Sequence, residues 1–261
     1  MTFYISIISH GHTRIISDLG CLAKLALEPC IKVIVKDNIQ DPQLQEYCRA
    51  HLLYYISDSP GSGFGKNNNI VFEWCEGQFG FSTEDYFLVL NPDVAVEAQA
   101  IFNLAKEAEK RDARISTLNL FKDHSFMTYD PAVRHYPRLS NYLSALLGMG
   151  NAAIIDKDTL QEPIWADWAS GSFLLFKPSL YLELGGFDES YFMYVEDVDI
   201  CWRADKIFNE KLLYVPQVKA VHLAQHQNKK IFSRHFFWFG KSIIRFLLTK
   251  HGFRNMAVQI R

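Results

Sequence analysis

No aspartate or glutamate occurs after Glu210. The same stretch carries ten Lys or Arg, at 211, 219, 229, 230, 234, 241, 245, 250, 254 and 261. Residues 1–210 then hold 17 basic residues and all 29 acidic ones, a net of −12, although the whole chain stands at only −2. An acidic body with a basic tail predicts that the tail meets something anionic, a nucleic acid or a membrane surface. No run of 18 apolar residues exists, which excludes a membrane-spanning helix. The first residues lack a basic segment and a small-residue cleavage site, so no signal peptide is expected. Cysteine is sparse: five residues, odd in number, widely spaced and without a Cys-x-x-Cys pair. That excludes a disulfide frame and a zinc ribbon and predicts reduced, mostly buried cytosolic thiols. With 49% apolar and 21% charged residues in 261, disorder, collagen and coiled coil are excluded for the chain as a whole.

What is present is an alternation of short apolar runs and helical stretches. Phe3–Ile8 and Ile31–Val35 lack polar alternation, so both read as strands buried on two faces. Thr13–Leu27 between them reads as a helix, which makes a βαβ unit with parallel strands. Asp41-Pro42 opens a second helix, with Asp as cap and Pro in the first turn. Leu52–Ile56 and Tyr86–Leu90 are further strands, and Asn67–Cys75 and Glu97–Arg111 further helices. The expected architecture is a single, mostly parallel α/β sheet with flanking helices, whose ligands sit at the carboxyl ends of the strands. Residues 122–168 are less regular, with one short helix expected near Leu139–Leu147. Ser172–Phe176 reads as a strand, Pro178–Leu184 as a helix stopped by Gly185-Gly186, and Glu196–Phe208 as a helix. Leu212–Val215 and Val218–His222 read as two short strands. Ile231–Lys250 is a long final helix.

Four strand ends carry polar residues: Ser9-His10-Gly11-His12, Asp37-Asn38, the stretch from Asp58 to Asn69, and Asn91-Pro92-Asp93. Such an edge suits a nucleotide, since an Asp after the second strand can accept hydrogen bonds from a base or ribose, and glycines admit a ligand close to the backbone. The alternative is that Asp and Asn are ordinary turn formers. The Gly-rich stretch is not a Walker loop, which would need Gly at position 60 and Ser or Thr at 67, where the chain has Pro60 and Asn67. The strongest signal runs from Gly185 to Arg203: an aromatic stretch leads into Glu196, Asp197 and Asp199. Carboxylates at a helix start are favoured by its dipole, and Asp199 and Arg203 could form a plain i,i+4 pair. At the edge of a desolvated pocket, however, an acid has its pKa raised towards general-base work.

Together these motifs, with Asp167-Trp-Ala-Ser-Gly-Ser172 and Tyr214-Val-Pro through His222, resemble the inverting GT-A glycosyltransferases of family 2. Within them the chain is most similar to the bacterial rhamnosyltransferases of O-antigen synthesis. The resemblance implies a GT-A catalytic domain over 1–228, with a nucleotide-sugar half (1–115) and an acceptor half (116–228), and a basic amphipathic helix over 229–261. It implies transfer of L-rhamnose from dTDP-L-rhamnose to an undecaprenyl-diphosphate-linked sugar. Ser9, His10, Asp37, Asn38, Gly65, Asn68, Asn91 and Asp93 would contact the donor. Asp93 and His222 would hold a divalent cation, Mg2+ or Mn2+. Asn91 stands where the family carries an acid. Asp197 would be the base. Trp168, Gly171, Glu196, Asp199 and Arg203 would line the acceptor or sugar pocket. Two alternatives stay open: another nucleotide-sugar donor, such as galactofuranose or a hexosamine, or a non-enzymatic binder of nucleotide or anionic surface.

On a helical wheel, Phe232, Phe236, Phe239, Ile243, Phe246 and Leu247 of the tail share a face, widened by Phe237, Ile244 and Leu248. Arg234, Lys241 and Arg245 lie beside it. An apolar face flanked by cations suits a membrane interface, so the expected location is the inner face of the cytoplasmic membrane. The alternatives are packing on the catalytic domain and pairing with a second copy. Nucleic acid is not expected, because the body is acidic and the tail's cations are interleaved with aliphatic residues.

Overall fold

A computed structural model describes residues 1–136, 155–157, 160–223 and 234–252, without the side chains of 234–236. The expected helix near Leu139–Leu147, Phe232 and the side chains of Arg234 and Phe236 lie outside the described residues. Three mostly apolar, buried runs form the centre of the sheet: β1 (Phe3–Ser9), β2 (Ile31–Asp37) and β4 (Tyr86–Leu90), with the short β3 (Tyr54–Ile56) outside β2. All four are parallel, with Ser9 level with Asp37 and Ile7 level with Leu90. Because successive side chains alternate across a strand, Phe3, Ile5, Ile7, Val33, Val35, Leu88 and Leu90 join one apolar core. Tyr4, Ile34, Phe87 and Val89 join another on the opposite face. Both faces are covered, which is why these strands show no polar alternation.

The first core is closed by α1 (Thr13–Leu19), α2 (Cys21–Leu25), α3 (Pro42–Ala50) and α5 (Ala98–Lys110); the second contains residues of α4 (Phe64–Phe79), α6 (Pro178–Glu183), α7 (Glu196–Phe208) and α8 (Arg234–Lys250). The helix expected over Thr13–Leu27 is two helices, because Gly20 at φ 59° ends the first in a left-handed cap. Helix α3 starts as expected, with the Asp41 side chain accepting from the Gln43 N–H.

Beyond β4 the sheet continues through β10 (Phe173–Phe176), β6 (Ile115–Phe121), β11 (Leu212–His222) and β5 (Val94–Ala95), with β8 (Ile164–Ala166) also on β11. Strand β10 runs antiparallel between β4 and β6. A two-stranded ribbon, β7 (Val133–Arg134) with β9 (Trp168–Ala169), stands apart. Strand β6 was not expected, because Ser116, Thr117 and Asn119 interrupt its apolar pattern. The fold buries all three, and the Thr117 hydroxyl donates to the Phe173 carbonyl at 2.8 Å. The two strands expected over 212–222 are one, with a register break between Val215 and Lys219. Pro216 sits in that break, where a missing N–H costs no ladder bond. All five cysteines are free thiols, four of them buried. Among the described residues no helix is long and apolar enough to cross a membrane.

Helix α8 lies against the second core. Phe246 is fully buried and meets Trp202 edge-on at 6.2 Å. Trp238 lies 4.7 Å from Phe192, and the Ser242 hydroxyl donates to the Met193 carbonyl at 3.1 Å. One face is thus packed on the body of the fold. Phe237 (64% exposed), Ile244 (61%) and Leu248 (44%) remain outside.

Candidate active site

The parallel strands deliver their carboxyl ends to one edge. At the end of β1, Ser9 is buried and its Oγ accepts from the His12 N–H, while the exposed His10 gives its N–H to His12 Nδ1 at 2.9 Å. His12 is held below its usual pKa by burial, against the pull of the Asp93 charge. At the end of β2, Asp37 is buried. It accepts from the N–H groups of Ile39, Gln40 and Asp41 and from the Tyr55 hydroxyl at 2.9 Å. Those four donors fill the acceptor sites of a carboxylate, so any ligand of Asp37 would have to displace one, and the half-buried Tyr55 hydroxyl is the one able to turn away. Asn38 clamps the glycine-rich loop by two bonds, donating to the Ser62 carbonyl and accepting from the Ser62 N–H.

The loop itself departs from expectation. Gly65 and Asn68 were expected at the donor. Instead, a Cβ on Gly65 would lie 2.7 Å from the Phe187 Cβ, and a Cβ on Gly63 2.4 Å from the Phe192 carbonyl oxygen. These glycines let α4 approach the 187–192 segment. Asn68 is fully buried, accepting from the Ser6 hydroxyl at 2.7 Å and donating to the Phe64 carbonyl. Asn69 brackets the Phe187 backbone with a donated and an accepted bond, both 2.9 Å. Asn67, Asn68 and Asn69 are all buried and each donates to a backbone carbonyl, Asn67 to that of Ser62 at 2.9 Å, while Asn67 Oδ1 has no partner among the described residues.

At the end of β4, Asp93 faces His222 from the end of β11, with Oδ1 3.4 Å from Nε2. The ring's other nitrogen lies 2.9 Å from Asp130 Oδ2. Burial disfavours the imidazolium, but the bonds and charges of Asp130 and Asp93 outweigh it and raise the His222 pKa to about 9. Asp93 in turn is held below the usual carboxylate range, because the His222 hydrogen bond and charge outweigh its own burial. Asn91, beside it, ties this end of the sheet to the next element through its N–H on the Ser172 carbonyl at 3.0 Å.

That bond brings the acidic helix to the same edge. The neighbouring Gly171 donates its N–H to Asp197 Oδ2 at 3.1 Å, and Val198 N–H reaches Oδ1 at 2.9 Å. Burial raises the Asp197 pKa, opposed by these two donors and by the charge of Arg134. Next to it, Glu196 is buried and pushed up to about 8 by burial, with the Asp197 charge adding. One Glu196 oxygen, Oε2, has no hydrogen-bond partner among the described residues. The helix is entered through Tyr194 (φ 71°) and Val195 (φ 72°), two successive left-handed residues without a glycine. Trp168 is almost buried; its indole N–H donates to the His135 carbonyl, and the Arg134 guanidinium lies 5.4 Å from its ring centre.

Asp199 and Arg203 stand differently from the expectation. They form a buried ion pair, Nε to Oδ2 2.7 Å, and the other guanidinium nitrogens donate to the carbonyls of Leu184 (2.6 Å) and Gly186 (2.8 Å). Their polar atoms are committed to holding the Gly185-Gly186 turn, so they support the site from behind. His12, Asp130 and Arg134 were absent from the expected set. Only the first has a local signal, its place in Ser9-His10-Gly11-His12.

The cation expectation can be tested on the donor set. Among the described residues no group of three or more His, Cys, Asp or Glu is arranged for a metal ion. A carboxylate oxygen and an imidazole nitrogen nevertheless converge at Asp93 and His222; a divalent ion would displace the proton held on Nε2, and hard divalent ions accept that pair when phosphates complete the shell. The residues fit the group.

No protein-family model matches the chain. It is 37% identical to rhamnosyltransferase WbbL of Escherichia coli over 255 residues, 97% of this chain and 95% of that one. It is 32% identical to an N-acetylglucosaminyl-diphospho-decaprenol L-rhamnosyltransferase of Mycobacterium tuberculosis over 247 residues, 87% and 78% of the two chains. Among solved structures it superposes on the mannosyltransferase PcManGT of Pyrobaculum calidifontis, in complex with GDP-Man and Mn2+. The TM-score is 0.60 at 12% identity, over 98% of this chain and 65% of that one. That likeness concerns the fold, which is GT-A.

Proposed function

The chain belongs to the bacterial rhamnosyltransferase family, glycosyltransferases of GT-A fold, and we propose that it moves L-rhamnose from dTDP-L-rhamnose to a lipid-linked N-acetylglucosamine acceptor with inversion. Family membership removes the non-enzymatic alternative. The observation that carries the reading is one continuous edge: Asp93 against His222 at 3.4 Å, and Asp197 joined to that strand end through Asn91, Ser172 and Gly171. Residues 1–115 supply the donor half and 116–228 the acceptor half.

Asp93 and His222 would hold Mg2+ or Mn2+, which neutralises charge on a departing diphosphate. Asp197 is the base. Two backbone N–H groups fix its carboxylate, and burial raises its affinity for a proton. The acceptor hydroxyl passes its proton to Asp197 as its oxygen bonds to the anomeric carbon. The bond from that carbon to the diphosphate oxygen breaks on the opposite face. Such a base contributes roughly 10²–10⁴ in rate. Arg134 beside Trp168 adds a cation to the acceptor side.

The outer face of α8 docks on the inner leaflet of the membrane. Phe237 and Ile244 stay exposed beside Lys241, the pattern of an interfacial helix. Pairing with a second copy through the same face is the alternative outcome of a vesicle-binding experiment.

The deciding assay offers lipid-linked N-acetylglucosamine with dTDP-L-rhamnose and, separately, other nucleotide sugars, with Mg2+ or Mn2+ and then with EDTA. Rhamnose transfer abolished by EDTA supports donor, cation and Asp93 together. Transfer from another donor overturns the rhamnose assignment but keeps the mechanism. Full activity of Asp197→Asn refutes the base.

A further inference from the structure

Behind His222 stands a carboxylate that the mechanism above does not use. Asp130 is 8% exposed and is pinned to the end of β6 by its own N–H on the Leu120 carbonyl at 2.9 Å. Its Oδ2 lies 2.9 Å from His222 Nδ1. Its backbone carbonyl receives the ammonium of Lys157 at 2.7 Å, and Lys157, itself only 5% exposed, reaches Asn119 Oδ1 at 3.1 Å with the same group. A buried lysine on a carbonyl and an amide oxygen is expensive to desolvate. Here it fixes the segment that carries Asp130.

The chemistry of the pair is directional. A carboxylate oxygen accepts, so the Nδ1 beside it carries the hydrogen. A cation entering at the other nitrogen displaces that nitrogen's proton and takes the lone pair it leaves, while Nδ1 keeps its hydrogen towards Asp130. That nitrogen, Nε2, faces Asp93. We propose that Asp130 is a positioning residue, held in place by Lys157, which fixes the tautomer and ring orientation of His222 so that Nε2 is presented to the cation site beside Asp93. The inference rests on the cation reading of Asp93 and His222. Outer carboxylates of this kind typically change metal affinity by 10–100-fold when removed.

The test measures Mn2+ affinity of the full chain by electron paramagnetic resonance of the free ion. Variants are Asp130→Ala, Asp130→Asn, His222→Ala and Asp93→Asn. Asp130→Ala is expected to weaken Mn2+ binding 10–100-fold, and Asp130→Asn less, because an amide oxygen can still accept from Nδ1. In parallel, nitrogen-15 spectra of His222 with Mg2+ bound should show the hydrogen on Nδ1 in the wild type and a mixed tautomer in Asp130→Ala. If Asp130→Ala binds within twofold of wild type while His222→Ala loses tenfold or more, the positioning role is overturned and the cation reading stands. If His222→Ala and Asp93→Asn bind as wild type, the cation reading itself fails and the inference falls with it. Should the Asp130 variants not fold, the wild-type spectrum decides: a hydrogen on Nε2 with Mg2+ present overturns the proposal.

Discussion

The buried pair Asp199–Arg203 offers a prediction that separates two ways of breaking the same contact. Both side chains are about 1% exposed, and their closest approach is 2.7 Å. Removing either partner of a buried pair costs about 3–5 kcal/mol, because a charge is left without compensation. The two partners escape this cost differently. Arg203 cannot lose its proton at any accessible pH, so Asp199→Ala leaves a buried cation whose penalty is flat with pH. Asp199 can take one up. Burial already pushes its carboxyl above the usual 3.8 of an aspartate, and the Arg203 charge is what restrains it. In Arg203→Met the restraint is gone and the folded-state pKa rises further. The folded chain then binds more protons than the unfolded one above pH 3.8, so stability falls as pH rises through that window. Each pH unit contributes up to about 1.4 kcal/mol. Between pH 5 and pH 7, Arg203→Met should therefore lose up to about 2.7 kcal/mol more, relative to wild type, while Asp199→Ala changes little. Urea unfolding followed by tryptophan fluorescence at pH 5, 6 and 7 measures both differences. Equal pH slopes for the two variants would refute the reasoning, whatever the absolute losses.

Asn69→Ala removes the two bonds that bracket the Phe187 backbone; a loss of roughly 2–4 kcal/mol is expected from the unpaired groups, read as a fall in the urea midpoint. Gly171→Ala puts a Cβ 2.9 Å from a Phe64 ring carbon and 3.8 Å from the Asp197 Cβ. Displacing the base should lower kcat by an order of magnitude or more, with dTDP binding unchanged by calorimetry; an unaltered kcat means the base lies elsewhere. Ile244→Glu, at a position 61% exposed, should leave stability within about 0.5 kcal/mol yet reduce co-sedimentation with anionic vesicles several-fold. Undiminished sedimentation would remove the outer face of α8 from the membrane contact.

Strands β1, β2 and β4 were legible because a strand buried on two faces is written as a run dominated by apolar residues, broken only by single polar ones such as Ser6 and Lys32, and helix α7 because its acidic start and aromatic approach are local. Strand β6 was not, since Ser116, Thr117 and Asn119 read as a break until the fold supplies partners such as the Phe173 carbonyl and the Lys157 ammonium. The same limit explains Asn67–Asn69. An asparagine written beside glycines reads as a turn or ligand residue, and only the approach of the 187–192 segment reveals the backbone it brackets. Asp130 and Arg134 carry no local signal at all. Their partners, His222 and Trp168, are 92 and 34 residues away in the chain. Proximity of that kind is a property of the assembled fold.

The entry to the catalytic helix shows why the tail belongs to the machinery. Tyr194 and Val195 both hold positive φ, 71° and 72°, a region that costs of order 1–3 kcal/mol per residue outside glycine and most for a β-branched one. Nothing in their own side chains favours it, and Val195 caps α7 without a side-chain hydrogen bond. The compensation comes from α8. Ser242 takes the Met193 carbonyl, Trp238 lies against Phe192, and Phe239 meets Tyr194 edge-on at 5.9 Å. A left-handed pair turns the chain sharply enough to bury Glu196 while Asp197, one residue on, faces Gly171. An unstrained entry would rotate the first turn and separate Asp197 from the Gly171 N–H. The helix proposed to offer its outer face to the membrane therefore also clamps, with its inner face, the strained turn that places Asp197, the proposed base.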